Sequence, residues 1–253
     1  MIAGLLIGKN MIKTDKNINL SLLALACGDS YGSHYEYEGM CGVTFKIRSL
    51  PMKPIKPNIT DDTKMAIILL EHYNKNRTLN EVKLLEEYKL WANTSGLDDG
   101  IGQHTYDILV KNKTDKNSQG NGALMRVIPF GVQLIQDGYS FNEAVDMMNI
   151  DSALTHSNET IFMVNRLALD ITINGLEALD NTLYKDILQQ LHLGDTAWVI
   201  HSLHIVIETL KLKKQFVSGF KYIVSHGGDT DTNCAIFAAI KPAFPNNYTY
   251  ELN

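Results

Sequence analysis

Proline is scarce in this chain and unevenly spread. Six occur in 253 residues, and Pro51, Pro54 and Pro57 fall together in "IRSLPMKPIKPN", which reads as a loop. None stands between Pro129 and Pro242, so the commonest helix breaker is missing from a long segment. Cysteine is scarcer still. Cys27, Cys41 and Cys234 form neither a CxxC pair nor an even disulfide framework, which excludes a cysteine-held zinc site and a disulfide-stapled scaffold. No apolar run reaches the roughly 18 to 20 residues of a membrane helix. The opening "MIAGLLIGKN" lacks the basic start and cleavage site of a secretory signal, so a cytoplasmic protein without a membrane is expected. Net charge is -5 and the basic residues gather into no long patch, which disfavours nucleic acid as a partner. The short basic group "KLKKQF" reads as a solvated helix end. Alternating strand patterns are also missing, apart from a weak candidate in "GVTFKIRSL".

What is present is helical periodicity. Ile161, Val164, Leu167 and Ala168 recur at the interval of one helix face. "NLSLLALACGD" is expected to be a helix closed by Gly28, and "LNEVKLLEEYKLWANTSG" one closed by Gly96. "TDDTKMAIILLEHYNK" opens with capping residues, and "DTAWVIHSLHIVIETLKL" has an acidic start and a basic finish that match the helix dipole. "QGNGALMRVIPFG" leads into an apolar helix that Pro129 should interrupt. No internal repeat occurs, and "KNKTDKNSQG" is short enough for a surface loop. The expected fold is all-α, a single compact orthogonal helical bundle spanning residues 1–253.

Two acidic clusters stand out. Thr60, Asp61 and Asp62 precede one apolar run; Asp229, Asp231 and Thr232 precede another, in "SHGGDTDTNCAIFAAI". Either cluster alone is accounted for by capping, because Asp and Thr oxygens accept bonds from the free N–H groups of a helix start. Together they present more carboxylates than caps require. If folding joins the two helix ends, the surplus carboxylates repel one another unless a cation lies between them. Such hard oxygen donors suit Mg²⁺, Mn²⁺ or Ca²⁺, with Mg²⁺ leading, and two ions sharing aspartates fit the number of carboxylates. An EF-hand is excluded, since Cys234 and Ile240 stand where glycine and glutamate belong. An aspartyl-phosphate phosphatase would place its DxD after a buried strand, which the helical surroundings oppose.

Three other stretches carry polar groups in a suggestive order. "GDSYGSHYEYEG" brings Asp29, Glu36 and Glu38 after a helix; it is either an exposed loop or the carrier of an acid/base glutamate. Gly120, Asn121 and Gly122 form either a plain turn or a phosphate cradle ahead of a helix. His156 in "ALTHSN" reads as a buried, hydrogen-bonded histidine, and Ser157 has no triad partners in sequence.

Taken in order, "GDSYGSHYEYE", "TDDT", "GIGQHT", "GNGALMRVIP", "LTHS" and "GGDTDTN" resemble the ADP-ribosylglycohydrolase family, over residues 20 to about 240. The resemblance implies a compact all-α fold and two Mg²⁺ ions held by Thr60, Asp61, Asp62, Asp229, Asp231 and Thr232. It implies an ADP-ribose pocket lined by Gly120, Asn121, Gly122, Met125 and His156. Glu36 matches a glutamate used catalytically in members acting on serine-linked and polymeric ADP-ribose; with it, Asp61 and Asp231 are the candidate catalytic residues. The implied activity is magnesium-dependent hydrolysis of the bond between ADP-ribose and an acceptor, by a monomer whose partner is an ADP-ribosylated protein or other conjugate. Two departures matter. Gly100 stands where arginine-directed members carry an acid, with Asp98 and Asp99 slightly earlier, which leans toward serine or polymer linkages. The chain also runs into "KPAFPNNYTY" where the family's last helix continues with small residues. Lens-crystallin relatives in the family make an inactive, structural or ADP-ribose-binding homologue the alternative.

Overall fold

A computed structural model describes residues 19–36, 58–212 and 215–241. The expected strand in "GVTFKIRSL", the triple-proline loop up to Pro57, Cys41, Glu38, part of "KLKKQF" and the "PAFPNNYTY" end lie outside the described residues.

Among the described residues the fold is all-α, with eleven α-helices and no strand. They are α1 (Leu20–Gly32), α2 (Asp61–Asn76), α3 (Glu81–Thr94), α4 (Gln103–Leu109), α5 (Leu124–Gln136), α6 (Phe141–Ala153), α7 (Glu159–Asn174), α8 (Lys185–Gln190), α9 (Val199–Lys211), α10 (Phe216–Val224) and α11 (Thr230–Ile240). Two short 3₁₀ segments, Gly175–Asp180 and Thr182–Tyr184, join α7 to α8. None of the described helices is long and apolar enough to cross a membrane.

Local chemistry starts many of these helices. Asn19, Asn80 and Asn158 accept first-turn N–H bonds at α1, α3 and α7. At α6, Ser140 and Glu143 form a reciprocal capping box. Caps of this kind contribute about 1 kcal/mol each. The periodic face of α7 is buried as its spacing predicts: Ile161, Val164, Leu167 and Ala168 are all at 0% exposure. Helix α9 carries Lys211 in its last turn, but Asp195 lies ahead of the helix, so the acidic start expected there is absent.

Two local expectations fail where packing outweighs propensity. Gly28 does not end α1, which continues to Gly32. A Cβ on Gly28 would sit 2.2 Å from the Cys234 carbonyl oxygen, and one on Gly32 would sit 2.2 Å from the Thr230 carbonyl oxygen. The two glycines therefore share a face, one turn apart, along which the backbones of α1 and α11 touch. Their helix penalty of about 1 kcal/mol each is offset by that contact. Nor does Pro129 interrupt α5, which runs on to Gln136. The cost of an interior proline is about 3 kcal/mol. Leu124, Val127, Ile128, Phe130 and Leu134 on the same helix are at 0% exposure, which outweighs it. Every residue of α11 is buried, so this helix is the axis around which the others pack.

Candidate metal centre

The first acidic segment starts α2, yet it does not cap it. Thr60 occupies the N-cap position and its side chain bonds none of the first-turn amides. Its hydroxyl donates instead to Asp29 Oδ1 at 2.9 Å and lies 3.1 Å from Asp62 Oδ2. Asp29, on α1 and fully buried, also accepts from the Thr60 backbone N–H and from both the N–H and the hydroxyl of Thr63. One carboxylate thus fixes the whole "TDDT" turn. The turn after α3 fixes it from the other side: the Asp61 N–H donates to the Asp99 carbonyl at 2.7 Å, and the Gly102 N–H to Asp61 Oδ2 at 3.3 Å. The Asp99 carboxylate is occupied by Trp91 Nε1 and Ser95 Oγ.

The second segment starts α11 and again leaves its cap unused. Gly227 and Gly228 take φ of 68° and 74°, a left-handed turn that favours glycine, and deliver Asp229 to the N-cap position. The Asp229 side chain makes no capping bond; its Oδ2 accepts from Asn121 Nδ2 at 2.7 Å. Asp231 Oδ1 accepts from the Thr232 N–H at 2.8 Å. Thr232 Oγ1 reaches Asp62 Oδ2 at 3.3 Å, across 170 residues of sequence. The two segments therefore meet. Glu36, four residues beyond α1, joins them: carboxylate oxygens of Glu36, Asp229 and Asp231 lie within 4.8 Å of one another.

This centre is rich in carboxyl groups and buried. Asp29, Asp61, Asp62, Asp229 and Asp231 are each at most 9% exposed, and no ion pair among the described residues involves any of them. Burial pushes the Asp61, Asp62 and Asp231 carboxyls well above the usual carboxylate range, and neighbouring carboxylates push them the same way. Burial also raises Asp29, against the four bonds from Thr60 and Thr63. Asp62 Oδ1 is buried with no hydrogen-bond partner among the described residues. A buried carboxylate oxygen left unpaired costs several kcal/mol, so the arrangement fits a group that supplies positive charge. The donors are carboxylates and hydroxyls, a hard oxygen set matching Mg²⁺ or Mn²⁺.

The glycine loop stands beside the centre. Asn121 links the two, since its amide donates to both Ser202 Oγ and Asp229 Oδ2 while its backbone N–H donates to the Ala197 carbonyl. His156 lies under the loop: Cβ atoms on Gly120 and Gly122 would fall 3.4 Å and 3.0 Å from its ring. Burial first, then Arg126 and His104, hold His156 well below its ordinary pKa, so the ring is neutral. No side chain caps α5, whose N-cap residue is Ala123. Met125 is 3% exposed and packs in the apolar core, one residue into α5.

Two further residues organise the site. Asp29 belongs by pattern to the polar stretch after Gly28, yet it sits inside α1. Arg126 stands among the apolar residues of α5. It is at 0% exposure, donating Nε to Asp151 Oδ2, Nη1 to the Gly122 carbonyl, and Nη2 to Thr155 Oγ1. It therefore ties the glycine loop to the "LTHS" turn. The signal was available: an arginine amid "ALMRVIPF" must find a buried acid.

The family profile named ADP-ribosylglycohydrolase matches residues 13–244. A protein of Acanthamoeba polyphaga mimivirus carrying the name ADP-ribosyl glycohydrolase is 24% identical over 277 aligned positions, covering 87% of this chain and 84% of its own length. The ADP-ribosyl-dinitrogen reductase glycohydrolase of Rhodospirillum rubrum is 28% identical over 122 positions, 43% of this chain and 42% of that protein. A solved ADP-ribosylglycohydrolase-related protein complex superposes with a TM-score of 0.65 at 17% identity, covering 89% of this chain and 86% of the other; this likeness concerns fold.

Proposed function

Because the chain belongs to the ADP-ribosylglycohydrolase family, we propose that it is a magnesium-dependent hydrolase of the bond between ADP-ribose and an acceptor. The observation that carries the metal half of this reading is the buried, unpartnered Asp62 Oδ1 in a carboxylate-rich centre without a countercharge among the described ion pairs. Thr60, Asp61, Asp62, Asp229, Asp231 and Thr232 would hold two ions. Bound Mg²⁺ would supply fixed positive charge for ribose hydroxyls and a water molecule.

The rest falls to this chain's own groups. The uncapped start of α5 and the Gly122 amide offer N–H donors to a pyrophosphate, while the Gly120 and Asn121 amides are held by Ser118 Oγ and the Ala197 carbonyl. Asn121 keeps the loop and Asp229 in register. Neutral His156 supports the loop without adding charge to it. Glu36 reaches the same space as Asp229 and Asp231 from the end of α1. Its carboxyl is placed to give a proton to the departing acceptor atom, or to take one from water, as the sugar passes through an oxocarbenium-like state. Gly100 opposite Asp61, in place of an acidic side chain, supports serine- or polymer-linked acceptors over arginine.

The test is release of ADP-ribose from arginine-, serine- and polymer-linked substrates, with Mg²⁺ and with EDTA, alongside melting with each ligand. Turnover that depends on Mg²⁺, and melting points raised by both Mg²⁺ and ADP-ribose, are expected. Unchanged melting in millimolar amounts of both, with no release, would assign the chain to the structural alternative.

A further inference from the structure

Away from the acidic centre, the segment between α8 and α9 brings two imidazoles nose to nose. His192 Nε2 and His201 Nε2 lie 3.1 Å apart. Each ring is fixed at its other nitrogen: His192 Nδ1 bonds the Gln190 carbonyl at 2.8 Å, and His201 Nδ1 bonds Thr196 Oγ1 at 2.8 Å. Trp198 packs edge-on against both rings. The chain at Gly194 runs so close to His201 that a Cβ there would lie 2.1 Å from the ring. His204, one turn further along α9, has a buried Nδ1 with no partner among the described residues.

These contacts describe how histidines are prepared for a metal. A ligating imidazole commonly donates its second N–H to a carbonyl or similar oxygen, which sets its tautomer and its aim. Here both second nitrogens have an oxygen, and both Nε2 atoms converge. Two nitrogens bound at about 2.0 to 2.1 Å around a tetrahedral ion are separated by roughly 3.3 Å. The observed spacing needs only a small opening of the pair. We propose that His192 and His201 form a two-histidine binding site for a borderline divalent transition metal, of the Zn²⁺, Ni²⁺ or Cu²⁺ class, with water completing the shell.

In the metal-free protein the hydrogen bonds run in one direction. Gln190 offers only a carbonyl here, so His192 carries its proton on Nδ1 and accepts at Nε2. His201 then donates from Nε2, and the Thr196 hydroxyl donates to His201 Nδ1. When the metal enters, it takes both Nε2 lone pairs. The His201 proton moves to Nδ1, and the Thr196 hydroxyl turns to accept it. No net proton is released. The charged neighbours are Asp195 beside His201, and Glu208 and Lys211 beside His204. Burial and the adjacent His192 imidazole hold His201 below the ordinary histidine pKa.

Occupancy would be felt at the glycine loop. The same segment accepts the Asn121 N–H at the Ala197 carbonyl, pairs Trp198 Nε1 with Gln119 Oε1, and lies with the Asp195 carbonyl against Gly228. A metal bridging His192 and His201 would clip residues 192–201 shut and stiffen the surround of Asn121 and Asp229.

The probe is Ni²⁺, titrated calorimetrically into tag-free full-length protein in saturating Mg²⁺, so that hard-donor sites are filled. One Ni²⁺ per chain is expected in the wild type and equally in Asp231→Asn, whose change lies in the acidic centre. His192→Gln, at an exposed position, is expected to keep its melting point without Ni²⁺ and to lose the site. Thr196→Val, which leaves both ligands in place, should weaken Ni²⁺ by about tenfold or more. Unchanged Ni²⁺ affinity in His192→Gln, or loss of the site in Asp231→Asn, would overturn the proposal. Neither result bears on the hydrolase reading, which is scored on Mg²⁺ and ADP-ribose.

Discussion

Replacing Asp231 by asparagine removes one negative charge from the acidic centre while keeping its shape. The new Oδ1 retains the bond from the Thr232 N–H, so the start of α11 loses nothing locally. What changes is repulsion. Asp231 shares a space no wider than 4.8 Å with the Glu36 and Asp229 carboxylates. At an effective dielectric constant near 20, one such pair of full charges repels by at least about 3.5 kcal/mol. Proton uptake relieves part of this, because burial and the neighbouring Asp62 and Asp229 already raise the Asp231 carboxyl. A net gain of about 2 kcal/mol in metal-free protein follows, or roughly 4 to 8 °C in melting temperature for a chain of this size. With Mg²⁺ the ranking should invert. The wild type gains about 2.7 kcal/mol when the ion is at a hundred times its Kd, whereas the variant, short of one ligand, gains little. Thermal unfolding of both proteins in EDTA and in Mg²⁺, with ADP-ribose release measured in parallel, makes the comparison. A variant less stable than wild type in EDTA, together with an equal Mg²⁺ increment in both proteins, would refute the reasoning.

Other expectations follow from single contacts. Gly32→Ala places a Cβ against the Thr230 carbonyl, so α1 must back away from α11; a loss of about 1 to 3 kcal/mol in urea unfolding is expected. Wild-type stability there would mean that the two helices are not in backbone contact. Asp151→Ala strands the buried Arg126 guanidinium and should cost about 3 to 5 kcal/mol by the same assay. Tyr88→Phe removes one bond to the Asp151 carboxylate and should cost about 1.5 to 3 kcal/mol. His156 is held neutral by burial and by Arg126 and His104, so its folded pKa lies below the 6.5 of the unfolded chain. The unfolded state then binds the extra proton, and His156 contributes a loss of stability approaching about 1.4 kcal/mol per pH unit as pH falls below 6.5. Subtracting the pH profile of His156→Gln isolates that slope; parallel profiles would show that His156 titrates normally.

The sequence made the helices legible because helix formation is written locally. The buried face of α7 could be read from spacing, and the starts of α1, α3, α6 and α7 show caps, whereas the capping expected of "TDDT" at α2 is not made. Errors fell where a distant helix decides. Gly28 looks like a stop until α11 lies against it, and Pro129 looks like a break until the burial of its neighbours is counted. Each acidic cluster was legible by its surplus of carboxylates, and their meeting was expected on the condition that folding joined the two helix ends. Their union depends on Asp29 gripping "TDDT" from α1 and on the glycine face that brings α1 and α11 into contact, neither of which any local pattern announces.

That union also argues against simple capping. Asn19, Asn80, Ser140 and Asn158 show what this chain does when it wants a cap: one short side chain, turned back onto the helix it starts. Thr60 and Asp229 hold the same N-cap positions and turn away, one toward Asp29 and Asp62, the other toward Asn121. Each forgoes about 1 kcal/mol of helix stability in doing so. The centre they build instead has mutually repelling carboxylates and an orphaned oxygen on Asp62. A fold selected only for stability would not combine both losses at two helix ends that meet. The arrangement fits the cation proposed for it, since no ion pair among the described residues supplies these carboxylates with positive charge.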